Sequence, residues 1–190
     1  MTDLTAILKD QFSLEKELID ELYKHLVRKI YNKGDHYLEI GQHPKQLGFM
    51  EHGCFMYYKL EDGKETAIDF SFENSWNTDI ASINENRPSE MAIVALKKSS
   101  LLNLSLESMQ ELIDFNPKYA VVKSYYVEQT FAKVSRHDQR MLTKDATARY
   151  LDLAKHNPEI LEKVPQYHIA SYLGITPQSL SRIRKEINIA

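Results

Sequence analysis

VPQYHIASYLGITPQSLSRIRKEI, running from Val164 to Ile187, holds two helical patterns separated by a Gly-Ile-Thr-Pro break. Gln166 to Leu173 reads as a short helix with Ile169, Ala170 and Leu173 on one face, and the small Ala170 suits a close helix crossing. Gly174 supplies the left-handed conformation that ends a helix, Ile175 plugs the angle, and Thr176-Pro177 gives the cap and first-turn residue of the next helix. That helix buries Leu180, Ile183 and Ile187 at i, i+3 and i+7. Its other face offers Gln178, Ser179, Ser181, Arg182 and Lys185, donors to base edges or phosphates, with no acid before Glu186. The order of parts fits a helix-turn-helix, whose second helix enters the major groove of duplex DNA.

Charge supports that reading. The net charge of −3 conceals a division: residues 1–116 carry 12 Lys and Arg against 20 Asp and Glu, and residues 117–190 carry 12 against 7. The basic rear holds the two-helix motif, as a phosphate-facing segment requires. At 190 residues, 43% hydrophobic and 27% charged, the chain is globular in composition. The lone Cys54 excludes a disulfide scaffold and a cluster or zinc site held by several thiolates of one chain. The start MTDLTAILKDQF lacks the features of a signal peptide, and no stretch approaches the roughly 20 apolar residues of a membrane span, so a cytoplasmic protein without membrane partners is expected.

Upstream, Ser13 is expected to cap an amphipathic entry helix bearing Leu14, Leu18, Ile19, Leu22 and Leu26. From about Val27 to Ser105 the texture changes to short runs of β-branched and aromatic residues, with five of the six glycines falling there. CFMYYKL and ETAIDFSF flank Glu61-Asp62-Gly63-Lys64 as a hairpin, and MAIVALK and LLNLS form further strands. Ser105 caps a helix over 106–115, and Asn116-Pro117 opens a long one to about Leu142. Its two apolar stripes, Tyr119, Val122 and Tyr126, and Val127, Phe131 and Val134, suit packing on the barrel and on a partner. Thr143 is expected to cap the short helices that follow.

An acidic β-rich front, a long helix and IASYLGITPQSLSRIRK near the end together resemble the Crp/Fnr superfamily of bacterial transcription regulators, and more narrowly its short Bacteroidetes-type members. FMEHGCFMYYKLEDGKETAIDFSFENSW is similar to the family's stretch around its Asp-Gly-Lys/Arg-Glu turn. The resemblance covers nearly the whole chain. It implies an α+β fold: an N-terminal β-roll, a double-stranded jelly-roll-like barrel with flanking helices, over 1–116; a dimerisation helix over 117–142; and a winged-helix-like helix-turn-helix domain over 143–190. Because the chain stops at Ala190, a wing would come from about 157–166 or be much reduced. The implied activity is non-enzymatic: a homodimer reading a near-palindromic DNA site, with RNA polymerase as a further partner.

In cyclic AMP binders of this family a Gly-Glu pair takes the ribose and an Arg takes the cyclic phosphate. Here Glu73-Asn74 stands for Gly-Glu, and Ser89 with Glu90 beside it stands where the Arg is expected. A carboxylate there repels phosphate. Arg87 lies two residues earlier, behind Pro88. Trp76, the only tryptophan, stands either to stack on a ligand ring or, as large aromatics more often do, to fill the barrel mouth. The expectation is an effector other than cyclic AMP, an unidentified small molecule, or none, and no metal or redox cofactor. The alternative is a cupin-like β-barrel metalloenzyme with a helical appendage, using His36, His43 and His52. The close His-x-His pair such a site needs is absent.

Overall fold

The computed structural model describes residues 4–189. These divide into two compact units, 1–56 with 71–129 and 57–70 with 130–190, so that the division passes through two strands and the long helix.

The first unit begins with two helices, α1 (Leu4–Phe12) and α2 (Lys16–His25), rather than one. Ser13 does not cap a helix: it lies between them with φ 50°, and Glu15 takes the cap position of α2. The turn at Ser13 lets Leu8 and Leu14 enter one core with Leu18, Ile19 and Leu22. A buried leucine on each side explains why an unfavourable φ is tolerated there.

Among the described residues eight strands follow: β1 (Val27–Tyr31), β2 (His36–Leu38), β3 (Gln46–His52), β4 (Phe55–Glu61), β5 (Lys64–Ser71), β6 (Trp76–Asn77), β7 (Ala92–Ala95) and β8 (Ser99–Ser105). They form two four-stranded sheets, β1-β8-β3-β6 and β2-β7-β4-β5. In the first sheet β8 is central and antiparallel to both neighbours, pairing Val27 with Asn103 and Gln46 with Ser105. A register shift between Met50 and His52 bends β3. Between β4 and β5, Asp62 and Gly63 both have positive φ, 50° and 74°, as a two-residue hairpin turn requires. The expected hairpin is thus in place, and the strands expected at MAIVALK and LLNLS form as β7 and β8, each in a different sheet.

A six-residue helix that the sequence pattern did not suggest, α3 (Ile80–Glu85), is capped by Asp79, which accepts from the Ser82 amide at 3.1 Å. Ser105 caps α4 (Leu106–Phe115) as expected, accepting from the Ser108 amide at 2.9 Å. The long helix α5 (Lys118–Thr143) follows, with the Asn116 side chain accepting from the Lys118 amide. In the first unit its Tyr119 and Val122 are buried against α2, and the Tyr119 hydroxyl donates to the Leu18 carbonyl at 2.6 Å. Burial, with the charge of Glu21 adding to it, pushes the Tyr119 phenol up to about 12.

The second unit contains most of the β4–β5 hairpin (57–70), the later part of α5 from Thr130, and the helices α6 (Ala146–His156), α7 (Pro158–Lys163), α8 (Gln166–Tyr172) and α9 (Pro177–Ile189). Thr143 is the last residue of α5 rather than a cap; its hydroxyl donates back to the Gln139 carbonyl at 2.7 Å, and Asp145 caps α6 through the Ala148 amide. Residues 157–166, considered for a wing, form α7 and the start of α8, and among the described residues no strand follows β8.

Candidate nucleic-acid interface

Local chemistry sets the angle between α8 and α9. The Gly174 amide donates to the Ser171 carbonyl at 2.9 Å and the Ile175 amide to the Ala170 carbonyl at 3.0 Å, with Gly174 at φ 64°. This pair of bonds is a Schellman closure, which needs a left-handed residue at the glycine's position. Two residues on, the Thr176 hydroxyl accepts from the Ser179 amide at 3.1 Å, and Pro177 opens α9. Ala170 on α8 is fully buried at 0% exposure, Leu180 at 1% and Ile183 at 4% are buried on α9, and the two helices pack against each other.

With Leu180 and Ile183 inward, the opposite face of α9 is open. Thr176, Gln178, Ser181, Arg182 and Lys185 are exposed and Ser179 is half-buried, its hydroxyl 3.0 Å from that of Thr176. Among the described residues neither Arg182 nor Lys185 is engaged in an ion pair, so both charges remain available to a partner. A guanidinium presented this way matches the two acceptors of a guanine edge, and an ammonium matches a phosphate.

The second unit also ties the hairpin to α8 and α5. The Ala67 amide donates to the Ser171 hydroxyl at 3.0 Å. Lys133 pairs with Asp69 at 2.8 Å and donates to the Phe70 carbonyl at 2.9 Å. The Phe70 ring meets Tyr172 edge-on at 5.4 Å, and Tyr172 stacks on His137 at 4.5 Å.

In the first unit the six residues considered for an effector fall into two groups. Glu73 accepts from the Gly53 amide at 3.1 Å and faces Lys97 at 3.8 Å; Asn74 turns the chain at φ 68°. Trp76 packs between Phe49 at 5.4 Å and Tyr126 at 5.8 Å, at the margin of the core. Arg87 pairs with Glu85 and with Glu90 at 3.3 Å. Ser89 is buried and donates to Asp79 at 2.7 Å, as does Ser82. Burial pushes the Asp79 carboxyl upward, but the hydrogen bonds from Ser82 and Ser89 and the charge of Arg87 outweigh it and hold the group below its ordinary value of 3.8. Asp79, which sequence reasoning passed over, therefore organises this segment; its signal was an Asp three residues before Ser82 at a helix start. Among the described residues no group of three or more His, Cys, Asp or Glu side chains is placed to hold a metal ion.

Comparison with known proteins gives the setting. Residues 28–116 match the cyclic nucleotide-binding domain. No curated relative matches the sequence. Among solved structures, the c-di-GMP responsive global regulator CLP of Xanthomonas campestris is similar with a TM-score of 0.72 at 17% identity, covering 92% of each chain. FixK2 from Bradyrhizobium japonicum gives 0.73 at 16% identity over 86% of this chain and 85% of that one. A Crp/Fnr-family transcriptional regulator from Eubacterium rectale gives 0.71 at 17% identity over 96% and 86%. Identities this low speak to the fold.

Proposed function

From a chain that has the Crp/Fnr fold and carries a cyclic nucleotide-binding domain over residues 28–116, we propose a homodimeric, sequence-specific DNA-binding transcription regulator of the Crp/Fnr type, without enzymatic activity and acting in the cytoplasm. The observation that carries this reading is the solvent-facing row Gln178, Ser181, Arg182 and Lys185 on a helix whose other side is fixed by Leu180 and Ile183. In the proposal α9 enters the major groove. Arg182 reads guanine through O6 and N7, Gln178 reads an adjacent base, and Ser181 makes a neighbouring contact. Thr176, Ser179 and Lys185 hold phosphates.

The dimer forms through the outer stripe of α5, where Phe131 is 75% and Val134 51% exposed, a costly arrangement for a lone helix in water. A twofold pair then reads a near-palindromic site with half-sites about one helical turn, roughly 34 Å, apart. The working division is an effector domain over 1–116, a dimerisation helix over 117–142 and a DNA-binding domain over 143–190. The effector is other than cyclic AMP, or there is none; the engagement of Arg87 by Glu85 and Glu90, and of Ser89 by Asp79, supports that reading.

Arg182→Ala should cost about 1–3 kcal/mol on the preferred duplex and relax preference at one base pair, while Lys185→Ala should weaken all duplexes evenly and flatten the salt slope. Affinity measured across single-base variants of the site at several salt concentrations separates the two. An unchanged sequence preference in Arg182→Ala refutes its role as base reader.

A further inference from the structure

Within the second unit, α5, α6 and Tyr172 of α8 enclose a cleft of about 550 Å³. That volume is in the range of small-molecule sites, roughly 300–1,000 Å³. Lys133 and Arg136 line it from α5, Lys144 from the connection, and Asp152 and His156 from α6. Among the described residues three permanent cations thus face it against one lining carboxylate, Asp152. That carboxylate is neutralised in place by Lys144 at 2.5 Å, with His156 at 3.6 Å. Lys133 is held by Asp69 at its other side. Arg136 is exposed and, among the described residues, makes no ion pair.

We propose that this cleft binds a phosphorylated small molecule, with Arg136 gripping the phosphoryl oxygens and Lys133 and Lys144 closing on them from either side. A planar fork and two ammonium groups on different elements suit a group with several oxygens pointing different ways. The volume exceeds what one phosphoryl group fills, which leaves room for an organic body along the Tyr172 wall. The recess, lined by an Asp152 side chain only 14% exposed, fits a small ligand better than a continuous nucleic-acid backbone. Lys133 also holds Asp69 and the Phe70 carbonyl, so an occupant that draws on Lys133 loosens the hairpin from α5. Binding itself stands apart from the DNA reading; only its regulatory consequence, an effector acting at the junction with the DNA-reading helices, rests on it.

The test is calorimetric titration of the full chain, in the absence of DNA, with inorganic pyrophosphate and with ATP. The expected result is saturable binding of one ligand per chain, weakened about tenfold or more in Arg136→Ala, partly restored in Arg136→Lys, and unchanged in Arg182→Ala. Arg136 is exposed, so its replacement leaves the fold intact, which circular dichroism checks. Absence of saturable binding to either probe, or equal affinity in wild type and Arg136→Ala, overturns the proposal. Competitive displacement of pyrophosphate by a short duplex of arbitrary sequence also overturns it, assigning the cleft to the DNA backbone. Failure of operator recognition with these titrations intact would refute the DNA reading and leave the site standing.

Discussion

Replacing Gly174 by alanine tests the turn that aims α9. At φ 64° an L-residue meets its own carbonyl, which costs roughly 1–2 kcal/mol. The added methyl also falls 2.8 Å from the terminal methyl of Met141, too close to keep. That atom is the far end of a flexible side chain, so it swings aside at small cost and the backbone penalty dominates. Gly63 is the internal control: its φ is 74° and nothing lies within 4 Å of where a Cβ would stand. Gly174→Ala and Gly63→Ala should therefore destabilise by similar amounts, about 1–2 kcal/mol each. Urea unfolding followed by far-ultraviolet circular dichroism reads the cost, with amide exchange at Leu180, which bonds to the Thr176 carbonyl, as the local probe beside Gly174. In a Met141→Ala background the Gly174→Ala cost should be unchanged. A Gly174→Ala protein within about 0.5 kcal/mol of wild type would refute the argument from backbone conformation. So would a cost that collapses when Met141 is shortened.

Two further perturbations address other parts of the molecule. Phe131→Asp combined with Val134→Asp, both on exposed positions of α5, should leave the fold intact and convert a dimer to a monomer in sedimentation equilibrium; a persistent dimer places the interface elsewhere. Asp79→Ala removes the acceptor shared by Ser82 and Ser89 and should cost about 1–3 kcal/mol near neutral pH. Because the folded Asp79 carboxyl lies below its ordinary 3.8, its contribution is present above that value and is lost as pH falls through the lower folded one. The stability difference between wild type and Asp79→Ala should therefore shrink on acidification below about pH 4, and a difference independent of pH would contradict the assignment.

The helix-turn-helix was legible because every part of it is local. Gly174, Thr176 and Pro177 each act on backbone within a few residues, and their hydrogen bonds form as the spacing implied. The Asp62-Gly63 hairpin and the Ser105 cap were readable for the same reason. Ser13 and Thr143 misled because a hydroxyl beside a helix has two uses, and which one prevails depends on neighbours. Leu14, buried at 3%, draws Ser13 into a left-handed turn, and the Gln139 carbonyl lies within reach of Thr143 at the end of α5. The segment considered for an effector was least legible. Ser89 takes its role from Asp79, ten residues earlier, and Arg87 from acids on both sides, so the identity of each residue says little until the chain has folded. The cleft beside Lys133 and Arg136 gathers residues from α5 to α8, a set with no sequence spacing to reveal it.

The central claim is that α9 reads duplex DNA as one half of a symmetric pair. Selection of bound duplexes from a random-sequence library at near-physiological salt, carried out with and without cyclic AMP and sequenced after several rounds, addresses it most directly. The expected result is a near-palindromic motif with half-sites about one helical turn apart, recovered equally in both conditions and lost in Arg182→Ala. Recovery of no motif in either condition would contradict the claim, and recovery only with cyclic AMP would overturn the reading of Ser89 and Arg87.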